Sequence, residues 1–397
     1  MYGYLRLEIR IAFVLAKVLP RPESLPRPIL LVLGLAVYGL LFQDRVPDHA
    51  AVFSAVESAR SLYGQGLSRV VNGALRSVQR MGPAPLEPAF YARVDAPQGS
   101  VAADSLFYSL PQWIVAQWLD AYGDAAAQAL CRRSSARPWS ALRINARHAA
   151  AAQLRDALLA CGGLAIGQWG AAFGPGQLPA AVLQCSLDDW QRKGALSFQS
   201  AGSQLVLEQL GLYEWQEPVW DVCAGYGGKT VALLERGVSV PLASDRNVGR
   251  LAGLSGQCAR LQLPCPGVVL ADAVMPPVAD WSGHLLVDAP CTGLGVLSRR
   301  PDIRRRPMAY ALELERLQAS MLDRLVSLLQ ASRQLAYITC TLRPQENERR
   351  VEQLAAAAGL RVTAQWSTPV DHPWLEGMVS TTPNNERLGL SRFLTCS

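Results

Sequence analysis

Between Val219 and Cys340 the chain alternates short apolar runs with longer helical stretches, and four of the runs stop on a residue that can do chemistry. Val238–Ser244 stops on Asp245, Val268–Ala271 on Asp272, Leu285–Val287 on Asp288 and Leu335–Thr339 on Cys340. A further run, Pro218–Val222, opens into glycines. Between the last two runs, Leu314, Leu317, Met321, Leu325 and Leu328 recur at helical spacing, which predicts one amphipathic helix. Strands alternating with helices, with polar groups at the strand ends, predict a doubly wound, Rossmann-like parallel sheet in an α/β fold. Ligands of such sheets sit beyond the carboxyl ends of the strands.

The preceding sequence has a different texture. Ile29–Phe42 is apolar nearly all round, which predicts a central helix of an all-α bundle. Pro47 and Asp48 open a helix with Val52, Val56 and Ala59, and Val70, Leu75 and Val78 predict another. Pro83, Pro85 and Pro88 crowd six residues that cannot continue a helix, so this stretch reads as a linker. A small mixed region follows, with helices around Trp113–Leu119 and Ala151–Leu159 and a strand at Ala141–Asn145. The expected organisation is therefore a helical domain over 1–82, a linker over 83–104, a small α/β connecting domain over 105–195 and the doubly wound domain over 196–397.

Composition narrows the function. At 397 residues with half of them hydrophobic and 18% charged, the chain can bury substantial cores and is not a disordered protein. Nine cysteines without a C-x-x-C pair, beside four histidines, offer no metal-ligand spacing and no disulfide framework. Reduced thiols in a cytoplasmic monomer are the expectation. Ile29–Phe42 is too short for the roughly 20 residues that cross a bilayer, and it lacks the features of a signal peptide. A net charge of +6 points to a polyanionic partner.

Cys223-Ala224-Gly225-Tyr226-Gly227-Gly228-Lys229 is a strand-to-helix glycine loop. Its glycines permit a tight turn and its helix start presents free N–H groups to a ligand. A nucleoside-triphosphate loop needs a glycine five residues before Gly228, where this chain has Cys223, so an adenosine cofactor is the better reading. Asp245 is placed for ribose hydroxyls and Asp272 for an adenine. Cys291, in Asp288-Ala-Pro-Cys291-Thr-Gly, and Cys340, in Tyr337-Ile-Thr-Cys340-Thr, occupy strand ends on that same side and are expected to be reactive. Cys131, Cys161, Cys185, Cys258, Cys265 and Cys396 are expected to be small buried hydrophobes. Arg299, Arg300, Arg304, Arg305 and Arg306, interrupted by Asp302, read as a track for a nucleic-acid phosphate backbone.

Together these residues resemble the Sun family of S-adenosylmethionine-dependent RNA 5-methylcytosine methyltransferases. Three segments carry the resemblance: Asp221-x-Cys-Ala-x-x-Gly-Gly-Lys-Thr230, Asp288-Ala-Pro-Cys-x-Gly-x-Gly-Val-x-x-Arg-x-Pro-Asp302 and Tyr337-x-Thr-Cys-x-x-x-x-x-Glu-Asn-Glu348. Leu30–Leu41, Pro47–Val56 and Val71–Arg76 look like the antitermination-factor-B-type domain fused to the bacterial member that acts on small-subunit ribosomal RNA. Tyr108-x-x-Pro-x-Trp113 and Leu142–Asn145 fit the segment between the two. The resemblance implies that Cys340 adds to carbon 6 of a cytosine. It implies that Cys291 assists loss of the carbon 5 proton or the elimination that follows, and that Asp288 bonds the base edge. Residues 223–229 with Asp245, Asp272 and Asp288 would hold S-adenosylmethionine, without a metal. The partner implied is unassembled small-subunit ribosomal RNA. A non-catalytic RNA-binding or assembly factor on the same fold is the alternative, although a scaffold has no need of two thiols.

The chain departs from the family pattern in places. Gly225-Tyr226 stands where Ala-Pro is usual, and Gln199-Ser200 where Gln-Asp is expected. Gly389-Leu-Ser-Arg-Phe393 replaces a Gly-Phe-Phe, and the opening helices of the helical domain are expected to be missing.

Overall fold

The computed structural model of the protein describes residues 2–330, 332–363, 365–366 and 391–395. Gly389, Leu390 and Cys396 lie outside the described residues. The chain forms two compact units, Met1–Arg137 with Leu297–Arg306, and Pro138–Val296 with Pro307–Ser397.

The first unit is helical: α1 (Tyr2–Arg6), α2 (Glu8–Val18), α3 (Arg27–Phe42), α4 (Asp48–Arg80), α5 (Val101–Phe107) and α6 (Gln112–Ser135). Both helices expected between 48 and 80 form and run together as α4, broken at Gly64 where φ is +77°. Val52, Ala59, Leu75 and Val78 are buried as the spacing predicts, but Val71 takes the core position and Val70 faces solvent. The helix α3 differs from expectation as well. It buries Ile29, Leu33 and Val37 on one side, while Leu31 and Leu35 are exposed. Among the described residues no helix is long and apolar enough to cross a membrane.

The proline-rich stretch is not a free linker. Tyr91 is fully buried, its hydroxyl donates to the Pro85 carbonyl at 2.8 Å, and buried Arg10 donates to that same carbonyl at 2.7 Å and to the Tyr91 hydroxyl at 3.1 Å. The Arg10 guanidinium also lies 4.2 Å from the centre of the Phe107 ring. A cation with two oxygen partners and an aromatic face is well satisfied in a core. The compact unit that holds these contacts extends through α5 and α6 to Arg137.

The second unit opens with a small antiparallel sheet of order β2-β3-β1-β6, where β1 is Ser140–Ile144, β2 Leu164–Ile166, β3 Gly170–Phe173 and β6 Leu196–Phe198. A hairpin of β4 (Ala181–Val182) and β5 (Cys185–Ser186) lies between β3 and β6 in the chain. The helices of this part are α7 (Ala151–Ala160), α8 (Leu187–Arg192) and α9 (Ala201–Gln209).

The larger sheet uses β7 (Val219–Asp221), β8 (Leu242–Asp245), β9 (Gly267–Leu270), β10 (His284–Asp288), β11 (Gln334–Ile338), β12 (Gln365–Trp366) and β13 (Ser391–Thr395). Its order is β12-β13-β11-β10-β7-β8-β9. The five strands from β7 to β11 are parallel, and β13 pairs antiparallel with β11. The helices are α10 (Gly228–Glu235), α11 (Val248–Leu261), α12 (Met308–Val326) and α13 (Glu348–Ala358). Side chains along a strand point alternately to the two faces. Accordingly Leu286 packs with Val231 and Leu254 of α10 and α11. Its neighbours Leu285 and Val287 pack with Met321 of α12 and Val351 of α13. Burial on both faces explains why β10 and β11 read as unbroken apolar runs, whereas β9 at the sheet edge leaves Val268 and Leu270 exposed.

One buried arginine ties the small sheet to the glycine loop. Arg143 of β1 makes a two-pronged pair with Glu235 at 2.8 and 3.1 Å. It also donates to the Gly228 carbonyl at 2.9 Å and to Gln199 Oε1 at 2.5 Å.

Candidate active site

From β7 the chain runs to β8 and β9 on one side, then returns to β10 on the other side of β7. The crevice at the carboxyl ends of β7 and β10 is therefore the switch point at which a doubly wound sheet binds ligands. The glycine loop leaves β7, and the loop carrying Cys291 leaves β10. Cys340 follows β11, the neighbour of β10.

The glycine loop is shaped by residues that allow a left-handed backbone. Gly225 has φ +56° and Gly227 has φ +81°. A methyl group on Gly227 would come within 2.2 Å of Leu254 Cδ1, so this position is closed to a side chain on two counts. The Ala224 N–H donates to the Ser244 carbonyl at 2.9 Å, and the Gly225 N–H to Asp245 Oδ2 at 3.0 Å. Asp245 Oδ1 accepts the Asn247 N–H at 2.8 Å, so one buried carboxylate holds the first two strand-end loops in register. Asp272 accepts the Val274 N–H at 3.0 Å in the turn that ends the third strand. Tyr226, which replaces a proline of the family pattern, is 66% exposed, and its ring rests against Gly253 of α11.

Beneath the loop, fully buried Asp221 accepts the Thr230 hydroxyl at 2.6 Å. Burial pushes its carboxyl up to about 7 despite that hydrogen bond, with the Asp288 charge adding to the rise. Burial also raises the Cys223 thiol well above its ordinary value, and Asp221, Asp288, Asp245 and Asp272 add to the effect. Cys223 therefore stays a neutral thiol.

Lys229, in the first turn of α10 and 10% exposed, donates to Asp288 Oδ2 at 2.5 Å. Burial by itself lowers the ammonium, but the Asp288 carboxylate and its hydrogen bond outweigh it and the net direction is upward. The lysine is a fixed cation at the mouth of the site. Asp288 remains 37% exposed and has lone pairs left for a ligand.

The two thiols meet here. Cys291 Sγ lies 3.3 Å from Cys340 Sγ and also accepts the Cys340 backbone N–H at 3.3 Å. Cys340 is exposed and Cys291 half-buried. The hydrogen bond from Cys291 lowers the Cys340 thiol, with help from the Lys229 ammonium, against the opposing effects of desolvation and Asp288. The same hydrogen bond, with burial, raises Cys291 well above its ordinary value. When the pair loses a proton, the thiolate forms on Cys340. Of the remaining cysteines, Cys131 and Cys258 are buried as expected. Cys185 is half-buried, whereas Cys161 and Cys265 are exposed, because they fall just after α7 and in a proline-flanked loop instead of on a packed face.

A polar network behind the thiols has no counterpart among the residues singled out from sequence. Glu346 is fully buried and accepts the Thr292 N–H at 2.9 Å and the Thr292 hydroxyl at 2.6 Å. Gln318 of α12 donates both to Glu346 Oε2 at 3.0 Å and to the Pro290 carbonyl at 2.9 Å. The only sequence signal was the Glu346-Asn347-Glu348 triplet, which marks a motif without revealing which acid turns inward.

The arginine cluster is divided by its surroundings. Arg299 to Arg306 belong to the helical unit. Arg304 is buried and donates to the carbonyls of Tyr108, Ser109 and Ser134, so it is a structural clamp that no phosphate reaches. Arg305 makes a two-pronged pair with Glu8 at 2.7 and 2.8 Å. Arg300 pairs with Asp302 at 3.1 Å, and Arg306 lies 3.9 Å from the same carboxylate. Arg299 is half-buried. The continuous five-arginine track is corrected accordingly: Arg304 leaves it, because the cluster folds back on the helical unit's own carbonyls and acids.

Comparison with known proteins agrees with this architecture. Residues 210–379 match the model of the 16S rRNA methyltransferase RsmB/F family, residues 1–80 that of the NusB family, and residues 110–166 that of the RsmF/B-like ferredoxin-like domain. The chain is 30% identical over 355 residues to the probable ribosomal RNA small subunit methyltransferase B of Bacillus subtilis, covering 88% of this chain and 76% of that protein. It is 31% identical over 391 residues to the ribosomal RNA small subunit methyltransferase B of Shewanella oneidensis, covering 94% and 84%. The crystal structure of a methyltransferase homolog protein from Pyrococcus horikoshii shares the fold, with a TM-score of 0.56 and 18% identity over 74% of this chain and 97% of that one. The glycine loop, the strand-end acids and the paired thiols thus sit in a member of the ribosomal RNA small subunit methyltransferase B family.

Proposed function

We propose that the protein methylates carbon 5 of a cytosine in RNA, with small-subunit ribosomal RNA as substrate, through a covalent bond between Cys340 and carbon 6. One observation carries the proposal: two thiols 3.3 Å apart at the switch point, the exposed one lowered and the other raised. A non-catalytic scaffold has no use for that asymmetry. The names of the bacterial relatives support the ribosomal substrate, which would place the protein in the cytoplasm with its thiols reduced.

The glycine loop fits S-adenosylmethionine. Gly225 and Gly227, with positive φ, let the backbone turn tightly at the end of β7, and Asp245 and Asp272 offer acceptors at neighbouring strand ends. Among the solved structures with this fold is one of NSun6 from Pyrococcus horikoshii with SFG. When bound, S-adenosylmethionine supplies a methyl group already activated by a sulfonium.

The protein's own residues supply the rest. Cys340, as thiolate, forms a bond to carbon 6, and the displaced electron pair moves toward the base edge. Asp288, held by Lys229, lies at the site to accept a hydrogen bond from that edge, and the Lys229 ammonium supplies the positive charge that stabilises the developing anion. Carbon 5 becomes a nucleophile and bonds to the methyl carbon as the methyl–sulfur bond breaks, its electron pair staying on the departing thioether. Once Cys340 is bonded to carbon 6, Cys291 gives its own proton to solvent, and its thiolate then takes the carbon 5 proton. The freed pair restores the ring double bond and expels Cys340 as thiolate. Access to both ring faces requires an unpaired or flipped base. We assign RNA binding to the helical unit at the N-terminus as part of this reading.

Incubation with S-adenosylmethionine and protein-free small-subunit ribosomal RNA tests the proposal. Wild-type protein is expected to incorporate methyl groups as 5-methylcytosine, and Cys340→Ser to incorporate none. Undiminished methylation by Cys340→Ser would overturn the mechanism.

A further inference from the structure

The two cysteines stand on different loops, and each is followed by a threonine. Thr292, next to Cys291, and Thr341, next to Cys340, bring their hydroxyl oxygens to 2.5 Å of one another, and both are buried. The proton directions in this pair are fixed by Glu346. A carboxylate only accepts, so the single proton of Thr292 is committed to Glu346 Oε1 at 2.6 Å. Thr341 is then the donor to Thr292. One buried acid thereby dictates how the two cysteine loops hydrogen-bond to each other.

The same carboxylate is anchored on every side. Its second oxygen accepts the Thr292 N–H at 2.9 Å and the Gln318 amide at 3.0 Å, and Gln318 also holds the carbonyl of Pro290, the residue before Cys291. Arg343 Nε lies 3.5 Å from Glu346 Oε1. On the other side of Cys340, Thr339 donates to Asn347 Oδ1, and the Asn347 amide donates to the Thr341 carbonyl at 3.1 Å. Burial raises the Glu346 carboxyl, while the hydrogen bonds from Thr292 and Gln318 and the Arg343 charge oppose the rise. A fully buried acid with this many donors at one point is costly unless the network is complete.

We infer that Glu346 is a positioning residue that sets the register of Cys291 against Cys340, and hence the efficiency with which the covalent RNA adduct is resolved. The inference rests on the two-thiol mechanism proposed above. Glu346 contacts Thr292, the immediate neighbour of the resolving cysteine, so its loss displaces Cys291 more than it weakens the thiolate of Cys340. A shift of about 1 Å in such a group lowers a rate by about a hundredfold. The first turnover, which needs Cys340 to attack, is spared relative to release.

The test uses the full-length protein, S-adenosylmethionine and an RNA oligonucleotide bearing the target cytosine, with the RNA–protein adduct read on a denaturing gel. Glu346→Gln keeps the volume of the side chain but replaces one acceptor by a donor, and Thr292→Val removes only the hydroxyl arm. Both variants are expected to accumulate Cys340-linked adduct, with steady-state turnover down by roughly tenfold to a hundredfold. Cofactor affinity by calorimetry should be unchanged, since no atom of the network touches residues 223–229 in the hydrogen bonds described. Adding Cys340→Ser to either variant should abolish the adduct. Wild-type turnover without adduct in Thr292→Val and Glu346→Gln overturns the inference. So does parallel loss of cofactor binding, turnover and adduct in Thr292→Val, which would mark a merely structural role. Cys291→Ala separates the two levels: if it releases RNA normally, the division of labour between the thiols is itself wrong.

Discussion

At the scale of single residues, chemistry is set by which of two like groups carries the charge. Cys340 is lowered by the hydrogen bond from Cys291 and by Lys229, whereas Cys291 is raised. A lowered thiol becomes a thiolate at a lower pH, so adduct formation should rise with pH and level off below the ordinary cysteine value. Lys229→Met removes the cation and frees the Asp288 carboxylate, and both changes disfavour the thiolate. The midpoint of the pH–rate profile for adduct formation should therefore move upward. Rapid-quench measurement of first-turnover adduct across pH 6–10 (about the range in which thiols titrate) checks the direction. A midpoint unmoved or lowered would remove Lys229 from this role.

At the scale of an element, the loop between β7 and α10 has one conformation that its sequence permits. Gly227 combines φ +81° with close approach to Leu254. Gly227→Ala must bear a left-handed backbone as well as displacement of the leucine, a cost of about 1–3 kcal/mol. Strain in this loop shifts the start of α10 and the Gly225 amide that Asp245 holds. We expect a lower melting temperature together with at least about tenfold weaker S-adenosylmethionine binding, read by calorimetry, since each 1.4 kcal/mol is a factor of ten. Equal stability and affinity in the variant would show that the loop tolerates a side chain at this position.

At the scale of the whole molecule, stability rests on charges that the fold has buried and must keep paired. Arg143 and Glu235 are 6% and 3% exposed and join the small sheet to the helix after the glycine loop. Arg143→Met leaves Glu235 buried without its cation, which costs about 3–5 kcal/mol. Adding Glu235→Leu removes the orphaned charge and should recover most of that loss. Urea unfolding of the two variants checks the order, and a double variant less stable than Arg143→Met would contradict it. The Gly228 carbonyl loses its Arg143 donor in both variants, so cofactor affinity should stay reduced even where stability returns.

The sequence by itself determined the parallel sheet, because burial on both faces demands unbroken apolar runs, as in β10 and β11. It also placed Asp245, Asp272, Asp288, Cys291 and Cys340 at strand ends, since the sheet's geometry sends every such residue to one rim. Alternation could not reveal partners distant in the chain. The Cys291–Cys340 contact spans 49 residues, and the Thr292–Glu346 bond spans 54. Arg304 read as a surface cation because an arginine's identity carries no information about which carbonyls will surround it. Only the tertiary structure decided that it is a buried clamp, that Pro85 and Tyr91 are core, and that one inward-facing acid governs both thiol loops. Local pattern fixes which face a residue takes. The partner of a buried polar group is set by the packing of segments that meet only in the folded chain.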